Sequence, residues 1–395
     1  MKSRTFSLYL IFFPTGLAVL ANAQRYPELR NQLHLTNGEF GTYISLAAVG
    51  AVIAFILGSR IIHSFGIGKT LLFGFIGLYS SVATFPHCHR PFSFIVTNLA
   101  FGFFSTLNHI NMNAQGIHVQ NKSNELLLPF LAGMWSSGAV SATLISILVS
   151  KKVSLCWQVD AIALCGFLMA LIGLIGSRKD LMNPREEYVA APRITPRNVL
   201  STFKFVPYLS FGHILILQSE YAAGDWSAIY ARNTIGVSVS EASYCYLVFI
   251  VSMGVLRIFG SKINKKYSEA EIIKWVPRFG AVGFSIFLVL GTLIARENRN
   301  LAFISSLVAF TFLGIGNSFI VLLLFGMAAR KSNLMPGAVI AAMGLVGAVF
   351  SFVVKFIIAW VAQATNLTIA LMIPTIMLFL GSSLSKYGER IPKSR

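Results

Sequence analysis

Arg178–Arg197 reads RKDLMNPREEYVAAPRITPR and holds Asp180, Glu186, Glu187 and three prolines. It is the one long polar stretch in the sequence. Directly upstream, 156–177 reads CWQVDAIALCGFLMALIGLIGS, and directly downstream 204–231 is again almost wholly apolar. A membrane-crossing helix needs about 20 mostly apolar residues, and both runs reach that length. The pattern continues outward in both directions. Further runs lie near 5–24, 40–62, 69–87, 91–117 and 126–149 on one side, and near 241–262, 276–295, 300–325, 335–362 and 366–385 on the other. The reading is an all-α, polytopic membrane protein of twelve transmembrane helices. Residues 1–177 are expected to form one six-helix bundle, 178–203 a cytoplasmic linker and 204–395 a second six-helix bundle.

Composition supports the same class. Hydrophobic residues make up 55% of the chain and charged residues 12%, against about 25% charged in soluble domains. That excludes a water-soluble enzyme, a secreted disulfide scaffold and a disordered chain. The four cysteines (Cys88, Cys156, Cys165, Cys245) show no CxxC spacing. His87-Cys88-His89 has metal-ligand residue types, but three adjacent residues do not close a site, so no metal and no cofactor is expected.

The net charge of +18 is explained by topology rather than by nucleic acid. With both termini inside, the inner loops receive Lys2, Arg4, Arg60, Lys69, Lys122, the linker cations, Arg257, Lys262, Lys265, Lys266, Lys274, Arg278, Arg330, Lys331 and the tail. The outer loops keep Arg25, Arg30, Arg90, Lys151, Lys152, Arg232, Arg296 and Arg299. The bias is roughly threefold inward, as the positive-inside rule requires. Lys2 and Arg4 followed by an apolar run and Ala21-Asn22-Ala23 mimic a signal peptide. Cleavage would leave an odd number of spans, so the first helix is expected to be retained.

The halves echo each other. Gly58-Ser59-Arg60-Ile61 closes the second run and Gly260-Ser261-Lys262-Ile263 the eighth, while at the same offset Glu39 and Glu241 open them. Two matches at one offset point to an internal duplication, a common plan among transporters.

On these features the chain resembles the major facilitator superfamily: twelve spans, a basic central linker and a motif between spans two and three. Gly58, Arg60, His63, Gly66 and Lys69 stand in the region of that cytoplasmic gate motif. Ser59 takes the place of its first Gly, His63 of its Asp and Ser64 of a base. Arg25–Arg30, Asn111–Gly116, Glu220 with Gly224-Asp225-Trp226, and Gly314-Ile315-Gly316 resemble the MosC-like branch of bacterial permeases. The resemblance implies two pseudo-symmetric bundles, with helices 1, 4, 7 and 10 lining a central cavity.

Polar residues within apolar runs point the same way, because unpaired polar groups in hydrocarbon cost several kcal/mol. Asn108, Asn111 and Gln115 share one face of span four, next to His109. Asn22 and Gln24 in span one, Gln218 and Trp226 in span seven and Asn317 in span ten complete the candidate solute-cavity residues. Glu220 is the acid placed deep in a run. It is the candidate proton-coupling residue, with His213 seven residues before it and Asp225 five after it. Lys355, a cation within an apolar run, is the expected ion-pair partner of Glu220. A structural pair and a coupling carboxyl both remain open for Glu220.

The expected function is secondary transport of a small polar solute (sugar-, polyol- or amine-like) by alternating access, coupled to protons, in the cytoplasmic membrane. The largely uncharged span-four face favours neutral solutes over strongly anionic ones. Drug or metabolite efflux and a transporter-like sensor are the alternatives. An intramembrane enzyme using His109 or His213 with Glu220 is disfavoured, since no HExxH or GxSxG motif occurs. Partners are the bilayer and a small molecule, not nucleic acid, and the chain is expected to act as a monomer. If the termini and the linker are cytoplasmic, a cysteine placed at Glu186 in intact cells resists membrane-impermeant maleimides and reacts only after permeabilisation. Labelling from outside would reverse the topology.

Overall fold

The computed structural model describes residues 2–123, 127–182, 195–318, 320–332 and 336–387. These form helices without any strand. In order they are α1 (Lys2–Leu20), α2 (Tyr26–Gln32), α3 (Asn37–Phe65), α4 (Ile67–Thr84), α5 (Pro91–Ser123), α6 (Leu128–Val149), α7 (Leu155–Gly176), α8 (Pro196–Phe205), α9 (Pro207–Tyr230), α10 (Val239–Lys266), α11 (Glu269–Ile294), α12 (Arg299–Asn317), α13 (Ile320–Lys331), α14 (Pro336–Ala364) and α15 (Leu367–Tyr387).

Ten of the described helices are long and apolar enough to cross a membrane, and α8 with α9, bent by 100° at Val206, reach that length and apolarity together. Helix α5 has 33 residues, ample length for a bilayer, but its asparagines and histidines lower its hydropathy. With α5 included, the twelve expected runs are all represented among the described residues.

Contacts divide the chain into two compact units: Met1–His34 with Thr42–Ile194, and Leu35–Gly41 with Thr195–Arg395. Within the first, α1 packs against α6 and α7, and α4 against α5 and α7. Within the second, α11 packs on α12, α9 on α15, and α10 on α12. Backbone contact at glycine sets several of these pairings. A Cβ at Gly138 would collide with the Phe13 carbonyl oxygen, and one at Gly16 with the Trp135 carbonyl oxygen. Gly347 of α14 behaves differently: a Cβ there would meet only Ile214, at 3.7 Å.

Two expectations need correction. The tenth run is not one helix. It breaks at Ser318, whose backbone leaves the helical region (φ −27°, ψ −106°), and α13 resumes at Ile320. The region 178–203 is not all linker either. Thr195 caps α8, accepting from the Asn198 amide at 3.2 Å, and α8 packs on α14 and α9. Its Arg197, Leu200, Lys204 and Phe205 are exposed, a distribution suited to a membrane–water boundary. Glu186, Glu187 and the rest of 183–194 lie outside the described residues.

The repeated glutamates have a shared job. Glu39 and Thr36 exchange side-chain and backbone hydrogen bonds at the start of α3. Glu241 and Ser238 do the same at the start of α10. Capping of this kind contributes about 0.5–2 kcal/mol per helix start, which gives the sequence echo a physical basis.

The glycine contacts yield a graded test. Gly138→Ala drives a methyl into the α1 backbone and should cost about 1–3 kcal/mol, read as a lower melting temperature or lost folded yield. Gly133→Ala on the same helix, with open space around it, should change neither.

Candidate functional site

Helix α9 carries two acids of the second unit, Glu220 and Asp225. Glu220 is half-buried, with 21% of its side chain exposed, and faces α10 and α12. Its Oε2 accepts a hydrogen bond from Asn317 Nδ2 at 3.2 Å and lies 3.7 Å from Arg257 Nη2. The second distance is an ion pair without a hydrogen bond. Arg257 spends its Nε on the Ser318 carbonyl, 3.0 Å away, at the break between α12 and α13.

Five residues on, Asp225 is paired with Lys355 of α14 at 2.7 Å. Lys355 also lies 5.3 Å from the centre of the Tyr221 ring. The expected Glu220–Lys355 pair is therefore not the one formed. Five residues on a helix are about 140° apart, so Glu220 and Asp225 face different neighbours, and each takes the cation on its own side. Tyr246 of α10 joins the two levels. It packs against Gly224 and lies within electrostatic reach of Glu220, Arg257 and Asp225.

The remaining α9 candidates are buried. His213 lies beside the Val321 backbone, and its ring lies 3.9 Å from that of Phe325. Gln218 donates to the Ile214 carbonyl of its own helix at 2.8 Å. Trp226 is fully buried with its ring edge against Gly41.

In the first unit the α5 stripe turns inward. Asn108, Asn111 and Gln115 are all fully buried. Asn108 packs against Gly74 of α4, and its carboxamide makes no hydrogen bond among the described residues. Asn111 donates to its own helix at the Leu107 carbonyl, 2.8 Å away. Gln115 holds the segment after α7: its Nε2 donates to the Asp180 carbonyl at 2.8 Å and its Oε1 accepts from the Met182 amide at 3.3 Å. His109 is the exposed member, stacked on Trp135 with ring centres 6.5 Å apart. Asn22 donates to the Val82 carbonyl at 3.2 Å, and Gln24 is buried with no hydrogen bond among the described residues.

At the gate motif, Gly66 forms the turn between α3 and α4 in the left-handed region (φ 79°), a conformation that favours glycine. Gly58 is buried beside Ile110 and Leu107, and His63 is half-buried. Arg60 and Lys69 are exposed and belong to none of the ion pairs found among the described residues.

One half-buried and one buried cation escape the sequence reading. Arg257 is placed with the inner loops there, yet Val255, Leu256, Ile258 and Phe259 flank it just as apolar residues flank Lys355. That pattern is the available signal. Arg25, placed in an outer loop, is 2% exposed. It pairs with Glu28 through two nitrogens and donates to Gln158 Oε1 at 2.6 Å.

The pairing makes a definite prediction. Lys355→Met leaves Asp225 as an unpaired buried charge and should cost about 3–5 kcal/mol in a thermal melt of the purified protein. Adding Asp225→Asn should recover most of that loss, and adding Glu220→Gln should not. Rescue by Glu220→Gln instead would refute the assignment.

The model of the Major Facilitator Superfamily matches residues 6–355. An uncharacterized MFS-type transporter of Yersinia pestis is 22% identical over 369 residues, covering 93% of this chain and 91% of its own length. The membrane protein MosC of Rhizobium meliloti is 22% identical over 361 residues, covering 91% of this chain and 84% of its own. Among solved structures, a D-xylose–proton symporter superposes with a TM-score of 0.70 at 16% identity, over 99% of this chain and 98% of that one. That last likeness is one of fold.

Proposed function

The chain belongs to the Major Facilitator Superfamily, and from that premise we propose that it moves a small polar solute across the cytoplasmic membrane by alternating access, driven by protons. It is a multi-pass membrane transporter and not an enzyme. Glu220 carries the coupling proton in this reading, and the two units are the pseudo-symmetric halves of a duplicated bundle. Both termini face the cytoplasm, in keeping with the inward excess of Lys and Arg.

The observation that carries the reading is the way Glu220 is held. One neutral hydrogen bond from Asn317 and an ion pair at 3.7 Å bind the carboxylate far less firmly than the 2.7 Å contact binds Asp225. A carboxyl that is partly exposed and weakly engaged can lose and regain a proton. One locked in a close ion pair cannot do so without breaking it. The fold shared with a D-xylose–proton symporter is in keeping with coupling to protons.

Glu220→Gln mimics the protonated carboxyl and cannot cycle. In proteoliposomes, with a solute chosen because it stabilises the purified protein, gradient-driven uptake should fall to the level of empty vesicles. Exchange of labelled for unlabelled solute should persist. Driven uptake retained in the variant would remove Glu220 from the coupling step.

A further inference from the structure

We propose that the solute is a small monocarboxylate, bound by Arg257 when Glu220 is protonated, so that one proton and one anion cross together without net charge. This rests on the coupling role given to Glu220 above and extends it to the chemistry of the solute. It also departs from the neutral solute that the uncharged α5 face suggested.

The argument starts from charge. Around α9 the second unit places two carboxylates, Glu220 and Asp225, and two cations, Arg257 and Lys355. These cancel. In a low-dielectric setting a cluster that is already neutral resists a lone anion or a lone cation, since either leaves an uncompensated charge. It accepts an anion that arrives with a proton.

Geometry says which members exchange. Lys355 and Asp225 already form a close ion pair at 2.7 Å. Among the described residues Arg257 is bound to backbone through Nε alone, its contact to Glu220 is beyond hydrogen-bond range, and its side chain is 23% exposed. A guanidinium whose outer nitrogens lack close partners is suited to the two oxygens of a carboxylate.

The protonated state of Glu220 also has a partner ready. Asn317 now donates its Nδ2 to the carboxylate, while its fully buried Oδ1 accepts nothing among the described residues. On protonation the Glu220 O–H can donate to that oxygen if the amide turns over. The proton therefore goes to a Glu220 oxygen, Arg257 loses its counter-charge, and the carboxylate of the solute takes that place. Other charged or titratable groups near Glu220 are Tyr221, Tyr246, and Asp225 with Lys355. His213 lies seven residues away on α9, turned to Phe325 of α13. Helix α15 presents no ionisable side chain between Leu367 and Leu384.

The test uses the purified full-length protein and a fixed panel: gluconate, glucuronate and lactate, against glucitol, glucose and glucosamine. Melting shifts are titrated at about pH 5.5 and about pH 7.5, where uptake of a single proton can change apparent affinity by up to about tenfold per pH unit. At least one carboxylate should stabilise the protein, more tightly at the lower pH, while the neutral and amine probes do not. Arg257→Gln should weaken that carboxylate roughly thirtyfold or more, and Arg257→Lys by less, which covers the case of a Gln variant that fails to fold. Glu220→Gln should bind it tightly at both pH values, an outcome a merely structural Glu220 would not give. Stabilisation by glucitol, glucose or glucosamine alone, by nothing in the panel, or by a carboxylate indifferent to Arg257 overturns the proposal. If a neutral probe binds while Glu220→Gln still abolishes driven uptake, the monocarboxylate fails and the coupling role stands. If a carboxylate binds through Arg257 with no pH dependence, the joint uptake of proton and anion proposed here falls, and the coupling role falls with it.

Discussion

A charge inside hydrocarbon has no water to hydrate it, so it must carry its solvent with it in the form of other side chains. The buried charges described above obey that rule with partners from separate elements. Arg25 is enclosed by Glu28, Gln158 and the Val153 carbonyl, which ties α2 to α7 and the turn before it. Asp225 and Lys355 tie α9 to α14. Glu220, Arg257 and Asn317 tie α9 to α10 and α12. The same constraint forces the backbone into helices, since only a helix satisfies its own amides within a single segment.

That constraint also decides what can be read from sequence. Apolar runs announce themselves one by one, so the helical spans and the glutamates Glu39 and Glu241 that open two of them are legible. Pairing between charges is a property of rotation and height on two helices at once, and a linear sequence fixes neither. Glu220 and Lys355 look like partners because their depths along the two runs agree. Helix rotation turns Asp225, not Glu220, toward Lys355. Arg257 is easily overlooked because it stands near the end of its run, where a basic residue is expected to mark an inner loop.

The polar stripe of α5 shows the same limit from the other side. Period correctly places Asn108, Asn111 and Gln115 on one face, but the face is turned into the unit. Glycine at position 74 makes room for Asn108, because a Cβ there would collide with the amide oxygen. Gln115 acts as a clamp on the backbone of Asp180 and Met182, a segment that enters only after α7. No local pattern in α5 could have named those partners. The two units thus differ in chemistry: neutral carboxamides occupy the buried face of α5, while the second unit gathers charge around α9.

Arg257 carries two burdens at once, and this governs how its variants behave. The break at Ser318 leaves carbonyls without intrahelical partners, and Arg257 Nε supplies one donor to them while Nη2 balances Glu220. A planar guanidinium can do both because its nitrogens point in fixed, divergent directions. A lysine offers one compact ammonium at the end of a flexible stem, so it can approach the carbonyl or the carboxylate but cannot hold both in the same geometry. Replacing Arg257 by Lys keeps the charge and loses the brace at the break, whereas replacing Glu220 by Gln removes the charge and leaves the brace in place. The two substitutions separate electrostatics from helix geometry at a point where one side chain joins them.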